Sequence, residues 1–445
     1  MDEAEFARLA DEFRRFAQRY GPLFGGWAAQ DRGEQYLRGL LIGGTERRNA
    51  ENVAEQVEGA TARALQRFLS ESSWSVERVT ERLQADVGAP LESPDGVWVV
   101  DETGFPKQGT KSVGVARQYS GTLGKVGNCQ IGVFLGYASA HGQALVDARL
   151  YLPERWVEDR ARCRAAGVPE AVAFRTKPEL ALATLRQARA WGHLQARWVT
   201  GDEVYGGNPA FRAGLEADGY WYVLEVPSPM SVSRVRPEAP PPEPLGGGWS
   251  ERSDLEPPRA MAELAATLGP EHWHMLEVAQ GAQGPRVYAF AQQRVREVRG
   301  GVIGAEREAL FRRNPDGTEL RLYLANTPPG LALPVLGRVA ATRWTIETGF
   351  EQAKGEAGLD EYEVRSWAGW HHHVILALLA GLFLLQVRWG WGGKSAPAHD
   401  SAGQPGAARA PAAAALDLER SLGVAPADAG PERRGASLPR QAAAA

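Results

Sequence analysis

The sequence predicts an α/β protein that carries a helical region before it and a β-rich insertion within it. Three observations support this. Near residue 93 the apolar pattern changes from helical spacing to short β-branched runs. Strands and helices then alternate to about residue 226. Beyond that, a Pro/Gly-rich stretch opens a hairpin-like segment that lasts to about residue 330.

Residues 1–92 are rich in Ala, Glu, Arg and Leu, and Phe6, Leu9, Phe13 and Phe16 recur at helical spacing. In "SSWSVERVTERL", Ser75 is placed to cap a helix and Glu77 lies in its first turn. "TERRNAENVAEQV" sets Arg47, Arg48 and Asn49 at another helix start, where a solvated end and a DNA contact are equally open. The region is expected to be a small helical domain, residues 1–92.

Residues 93–226 form the first part of the predicted α/β domain. "GVWVVDE" is a β-branched run, and "NCQIGVFLGYAS" and "QALVDARLYLP" are two strands joined at "AHG". "KPELALATLRQARAWG" is a helix opened by Pro178 and closed by Gly192. "ARWVTGDEVYGG" is an apolar strand that stops on Gly-Asp-Glu; "NPAFRAGLEADG" is a helix and "YWYVLEVP" a strand. Residues 227–330 are the β-rich insertion, with a linker over 236–258. Residues 331–391 return to the α/β domain through one long helix from Pro334 to about Lys354. From Gly392 the chain is Ala/Pro/Gly low complexity, the composition of a disordered tail.

Composition narrows the classes. At 445 residues, 44% hydrophobic and 23% charged, the chain has the make-up of a soluble protein with a sizeable core. Cys129 and Cys163 are too few for a disulfide framework, as in a reducing cytosol. No leader precedes the first amphipathic helix, and the apolar run Val374–Val387 is short for a membrane span, so no membrane role is expected. The net charge of −4 carries no polyanion signal. Between Asp101 and Asp202, however, 14 Lys/Arg stand against 9 Asp/Glu, a local basic excess.

Two apolar runs end on acids, at Asp101–Glu102 and at Asp202–Glu203. In α/β sheets functional groups collect outside the carboxyl ends of strands. Paired carboxylates repel unless a cation neutralises them, and oxygen-only ligation suits Mg2+ or Mn2+. Taken alone, each such aspartate is more often a turn or helix-cap residue. A third element shifts the balance. "ATRWTIETGFEQAKGEAG" puts Arg343, Glu347, Phe350, Glu351 and Lys354 in helical register, with Arg343 and Glu347 an i,i+4 pair and Lys354 two turns beyond Glu347. An acid flanked by cations, with Trp344 alongside, is what a metal-bound phosphodiester would need. On spacing alone, a solvated salt-bridged face remains the simpler reading.

With "DETGFPKQG" and "VTGDEVYG" as the first two blocks and R-x3-E-x6-K at Arg343, Glu347 and Lys354 as the third, the chain resembles the DDE transposases of bacterial insertion sequences. It is most similar to the insertion-sequence-701 group, which is related to the insertion-sequence-4 superfamily, and the resemblance covers roughly residues 10–390. The superfamily signature begins with Tyr, and Ala340 stands in that place. The resemblance implies an RNase H-like catalytic domain in which Asp101, Asp202 and Glu347 are both the catalytic triad and the ligands of two Mg2+ or Mn2+ ions. It implies DNA contacts from Arg343 and Lys354, with Trp344, Lys107 and Lys111 as further candidates. It also implies double-stranded DNA as partner (element terminal inverted repeats and target), a homodimer bridging two ends, and a cytoplasmic, nucleoid-associated setting. The implied reaction is cut-and-paste transposition, which in the related superfamily passes through a hairpin on the element end. A decayed transposase that only binds DNA, and a metal-dependent nuclease without strand transfer, are the rival readings.

Other motifs carry less. His371–His373 are adjacent on a helix and point in different directions, and the cysteines lack paired spacing, so zinc is not expected. "GTLGKVGN" lacks phosphate-loop spacing and reads as a turn or a DNA-facing loop.

Overall fold

The computed structural model describes residues 3–42, 47–235, 255–281 and 284–391. The low-complexity tail from 392 and most of the Pro/Gly-rich linker therefore lie outside the described residues.

Five helices come first: α1 (Glu3–Phe24), α2 (Trp27–Leu41), α3 (Ala50–Gln56), α4 (Ala62–Ser70) and α5 (Val76–Leu91). The side chains of Asn49, Thr61 and Ser75 accept first-turn amides and so cap α3, α4 and α5. Leu9, Phe13, Phe16 and Tyr20 form the buried stripe of α1. Arg47 and Arg48, offered above as DNA contacts, pair with Glu363 and Glu361.

Next come β1 (Val97–Pro106), β2 (Ala116–Ser120), β3 (Lys125–Ser139) and β4 (Gly142–Tyr151), then α6 (Glu154–Glu158), α7 (Arg160–Ala165) and α8 (Lys177–Trp191). A Thr176–Glu179 capping box starts α8, and Gly192, with φ 71°, ends it. β5 (Trp198–Gly201), α9 (Glu203–Gly206), α10 (Pro209–Ala217) and β6 (Trp221–Glu225) follow. Strands β4–β3–β1–β5–β6 lie side by side, antiparallel across the first three and parallel across the last three. This mixed sheet, with helices packed on it, is the RNase H-like arrangement expected above. β2, which the sequence reading missed, pairs with the first residues of β3.

Two expectations are corrected here. β1 does not end at Asp101: it runs on to Pro106, paired with β3 throughout. What ends beside Asp101 is its parallel pairing with β5, whose last rung is Val100–Gly201. The long helix expected from Pro334 to Lys354 is likewise two helices.

The insertion contains β7 (Ser231–Arg234), β8 (Arg259–Ala260), α11 (Met261–Ala266), β9 (His274–Gly281), β10 (Gly284–Arg299), β11 (Val302–Arg313) and β12 (Arg321–Ala325). It extends the central sheet: β12 pairs with β6, and β11, β10, β7 and β8 continue outward from it. A second apolar cluster that includes Met261, Leu264, Val295 and Phe311 lies under these strands.

The chain closes with α12 (Leu333–Thr342), α13 (Trp344–Ala357) and α14 (Trp367–Trp391). α14 has the length and composition of a membrane span, but Trp370 to Ala380 are buried in the core it shares with the N-terminal helices. Phe383 meets Phe13 edge-on with ring centroids 5.4 Å apart, and His372 stacks on Trp74 at 3.7 Å.

Candidate active site

Three parallel strands reach the same level and each then delivers an acid. Val100, Gly201 and Leu224 form the last parallel rungs, and Asp101, Asp202 and Glu225 are the next residues. The three acids thus stand just past the carboxyl ends of the parallel strands, where α/β sheets place their chemistry. Asp202 turns out of the sheet as the N-cap of α9, its Oδ1 accepting from the Val204 amide at 3.0 Å. Gly206 lets α9 lie flat on β6, because any side chain there would strike the Glu225 carbonyl.

The two aspartates share one electrostatic environment. Burial first, and then the Asp202 charge, hold the Asp101 carboxyl well above its ordinary range. Asp202 is pushed up to about 6, by burial and then by Glu102. Glu102 points to the opposite face of β1, where it takes Lys177 at 2.5 Å and the Tyr205 hydroxyl at 2.9 Å. It is thus a partnered group behind the pair.

Arg343 joins the remaining acids. It occupies the junction between α12 and α13, and its guanidinium reaches Glu347 at 2.8 Å, Glu225 at 3.4 Å and Asp101 at 3.6 Å. Glu347 lies on the Arg343 side of α13, whereas Glu351, one turn on, is exposed. Among the described residues, no three His, Cys, Asp or Glu side chains come close enough to hold one ion. Arg343 supplies the counter-charge for these acids and links Asp101 to Glu347.

The other candidates are scattered around this centre. Lys354 rests on the hydroxyls of Thr103, at 2.8 Å, and Thr122, at 3.4 Å, and burial lowers its pKa. Since Thr103 lies two residues along β1 from Asp101, Lys354 approaches the same face of the sheet. Thr122 belongs to the "GTLGKVGN" turn. Lys107, expected to meet phosphate, instead donates to the Tyr362 carbonyl at 3.0 Å and lies 3.5 Å over that ring, its pKa brought down to about 8 by burial. Lys111 is exposed on the loop between β1 and β2. Trp344 begins α13, 37% exposed, with the Arg286 guanidinium 4.9 Å over its ring.

Glu225 is the residue that sequence reasoning missed. It is buried and also accepts from Arg321 at 2.9 Å. Its signal was the one already used for Asp101 and Asp202, an apolar run ending on an acid, but Val226 and Pro227 prolong the run past it.

The three rings of the histidine triplet each turn to partners of their own. His373 accepts the Tyr36 hydroxyl at Nδ1 and donates from Nε2 to Leu359 O, the pattern of a neutral ring. His371 bonds Trp367 O, and His372 lies between Leu69 O and Trp74 O.

Residues 20–285 match the family described as DDE superfamily endonuclease, more than half of the chain, and the protein belongs to that family. The matched stretch holds Asp101 and Asp202 and ends before Arg343. Over 337 residues the chain is 25% identical to a probable transposase for insertion sequence element IS701 from Microchaete diplosiphon, covering 74% of this chain and 76% of that protein. Enzymes of this family generally use divalent cations such as Mg2+. Asp101 and Asp202 suit such an ion: both are hard oxygen donors just past the strand ends, and a divalent charge would offset the burial and the neighbouring acidic charges that raise them.

Proposed function

We propose that the protein is a transposase that cuts DNA at the terminal inverted repeats of an insertion sequence and joins the 3′ ends to target DNA. The supporting observation is the acidic layer outside the parallel strands, where Asp101 and Asp202 are held at raised pKa beside an arginine that reaches Glu347. Asp101, Asp202 and Glu347 would hold two Mg2+ or Mn2+ ions. Bound there, the metal supplies Lewis-acid activation of a water or 3′-hydroxyl and neutralises the leaving oxygen.

The chain's own residues do the rest. For Glu347 to serve as a ligand, Arg343 must exchange its carboxylate partners for the phosphates of bound DNA, a swap favoured by its bidentate fork. Lys354 places its ammonium above the Asp101 face of β1 as a second phosphate contact. The related superfamily's hairpin intermediate, a homodimer bridging two ends, DNA binding by residues 1–92 and a nucleoid-associated cytoplasmic setting belong to the same proposal.

The test is a cleavage and joining assay with Mg2+ on DNA ends taken from the sequence flanking the gene. Cleavage followed by joining is expected. Cleavage alone would indicate a nuclease of this fold, and binding without cleavage a decayed transposase; either would overturn the transposase reading.

A further inference from the structure

We propose that Arg286 and Arg312, on the insertion strands, form a second phosphate-gripping strip continuous with the active site. The inference rests on DNA being the substrate, as proposed above. Arg321 of β12 bonds Glu225, which in turn holds Arg343, so one chain of charges runs from the acids into the insertion sheet. Arg312 is the direct cross-strand partner of Arg321. The Tyr323 phenol confirms the proximity, since Arg312, Arg321 and Arg343 all act on it, against the burial and the Glu225 charge that raise its pKa.

Arg312 differs from most arginines of this sheet. Arg294, Arg296 and Arg307 each have a glutamate partner, whereas no ion pair joins Arg312 to a carboxylate among the described residues. Its guanidinium lies 4.4 Å over the Tyr288 ring, and its buried Nε has no hydrogen-bond partner. Arg296 shares such an orphaned Nε, so what sets Arg312 apart is the missing carboxylate. Two residues before Tyr288, Arg286 repeats the arrangement over Trp344, next in sequence to Arg343. One guanidinium–aromatic pair thus adjoins Arg343 through Trp344, and the other lies two residues along β10 at Tyr288. Each ring fixes the plane of its guanidinium and leaves the N–H fork for an anion. Arg286 stands on β10 and Arg312 on the neighbouring β11, where they would take phosphates of one DNA strand as it leaves the acids.

The test measures binding of a random-sequence duplex across a salt series, because phosphate contacts are independent of sequence. Arg286→Gln and Arg312→Gln should each weaken binding about tenfold at 0.1 M salt and reduce the slope of log K against log salt by about 1. Arg299→Gln removes an exposed arginine at the far end of β10 and should change neither. Wild-type affinity and slope in both strip variants, with unchanged melting temperatures, would overturn the strip and leave the DNA-cutting reading intact. Failure of the wild-type protein to bind any duplex would instead overturn the reading on which the strip rests.

Discussion

At Asp202 one carboxylate both caps α9 through the Val204 amide and sits in the field of Asp101 and Glu102. The two duties can be separated, because asparagine caps a helix as well as aspartate but carries no charge. Asp202→Asn should therefore stabilise the metal-free protein at neutral pH, by on the order of 2 kcal/mol, while removing a metal ligand. The sign follows from linkage. A carboxyl raised to about 6 in the fold costs nothing below its unfolded pKa, and the cost grows as pH rises from about 4 through 6. Melting curves of wild type and variant should thus diverge over that window and coincide in acid; a variant less stable at pH 7 would contradict it. At this scale the sequence was informative where an apolar run stops abruptly. It showed Asp101 and Asp202, whereas Glu225 stayed hidden because its run continues into Val226 and Pro227. The inward turn of Lys107 depends on Tyr362, far away in sequence, so spacing could not reveal it.

Among the elements, α14 was legible as a buried helix from its apolar run, but its histidines were not, because their partners lie on α2, on and just after α4, and after α13. Their burial makes a pH prediction. His371 and His373 are brought down to about 3, and His372 is lowered too, chiefly by burial. The unfolded chain therefore binds more protons than the folded one between about 3 and 6.5, so stability should fall steadily as pH drops through that range. Denaturant midpoints should decline from about pH 7 to pH 5, and the decline should be shallower in His373→Gln. An equal decline in both would contradict the assignment. Helical spacing also predicted one helix through Arg343, where the structure has two. Residue periodicity reports which face is apolar and carries no record of a break that leaves the register nearly unchanged.

Across the whole molecule, the site sits at the seam between the parallel strands and the insertion. The sequence marked the insertion by its linker and hairpins, yet gave no sign that β12 would join β6 and carry the central sheet outward. Long-range strand pairing leaves little trace in local composition. Nor did it show that the N-terminal helices share one core with α14, since residues 1–92 look self-contained by composition. The sheet and helices together bring Asp101, Asp202, Arg343 and Glu347, spread over 247 residues of chain, into one cluster of charges. The most direct test of that assembly is a comparison of wild type and Asp101→Asn on DNA carrying the element's flanking repeats, with and without Mg2+. The account predicts that wild type cuts only with the cation, and that Asp101→Asn binds the same DNA without cutting it. Cleavage by Asp101→Asn, or by wild type without a divalent cation, would contradict the account.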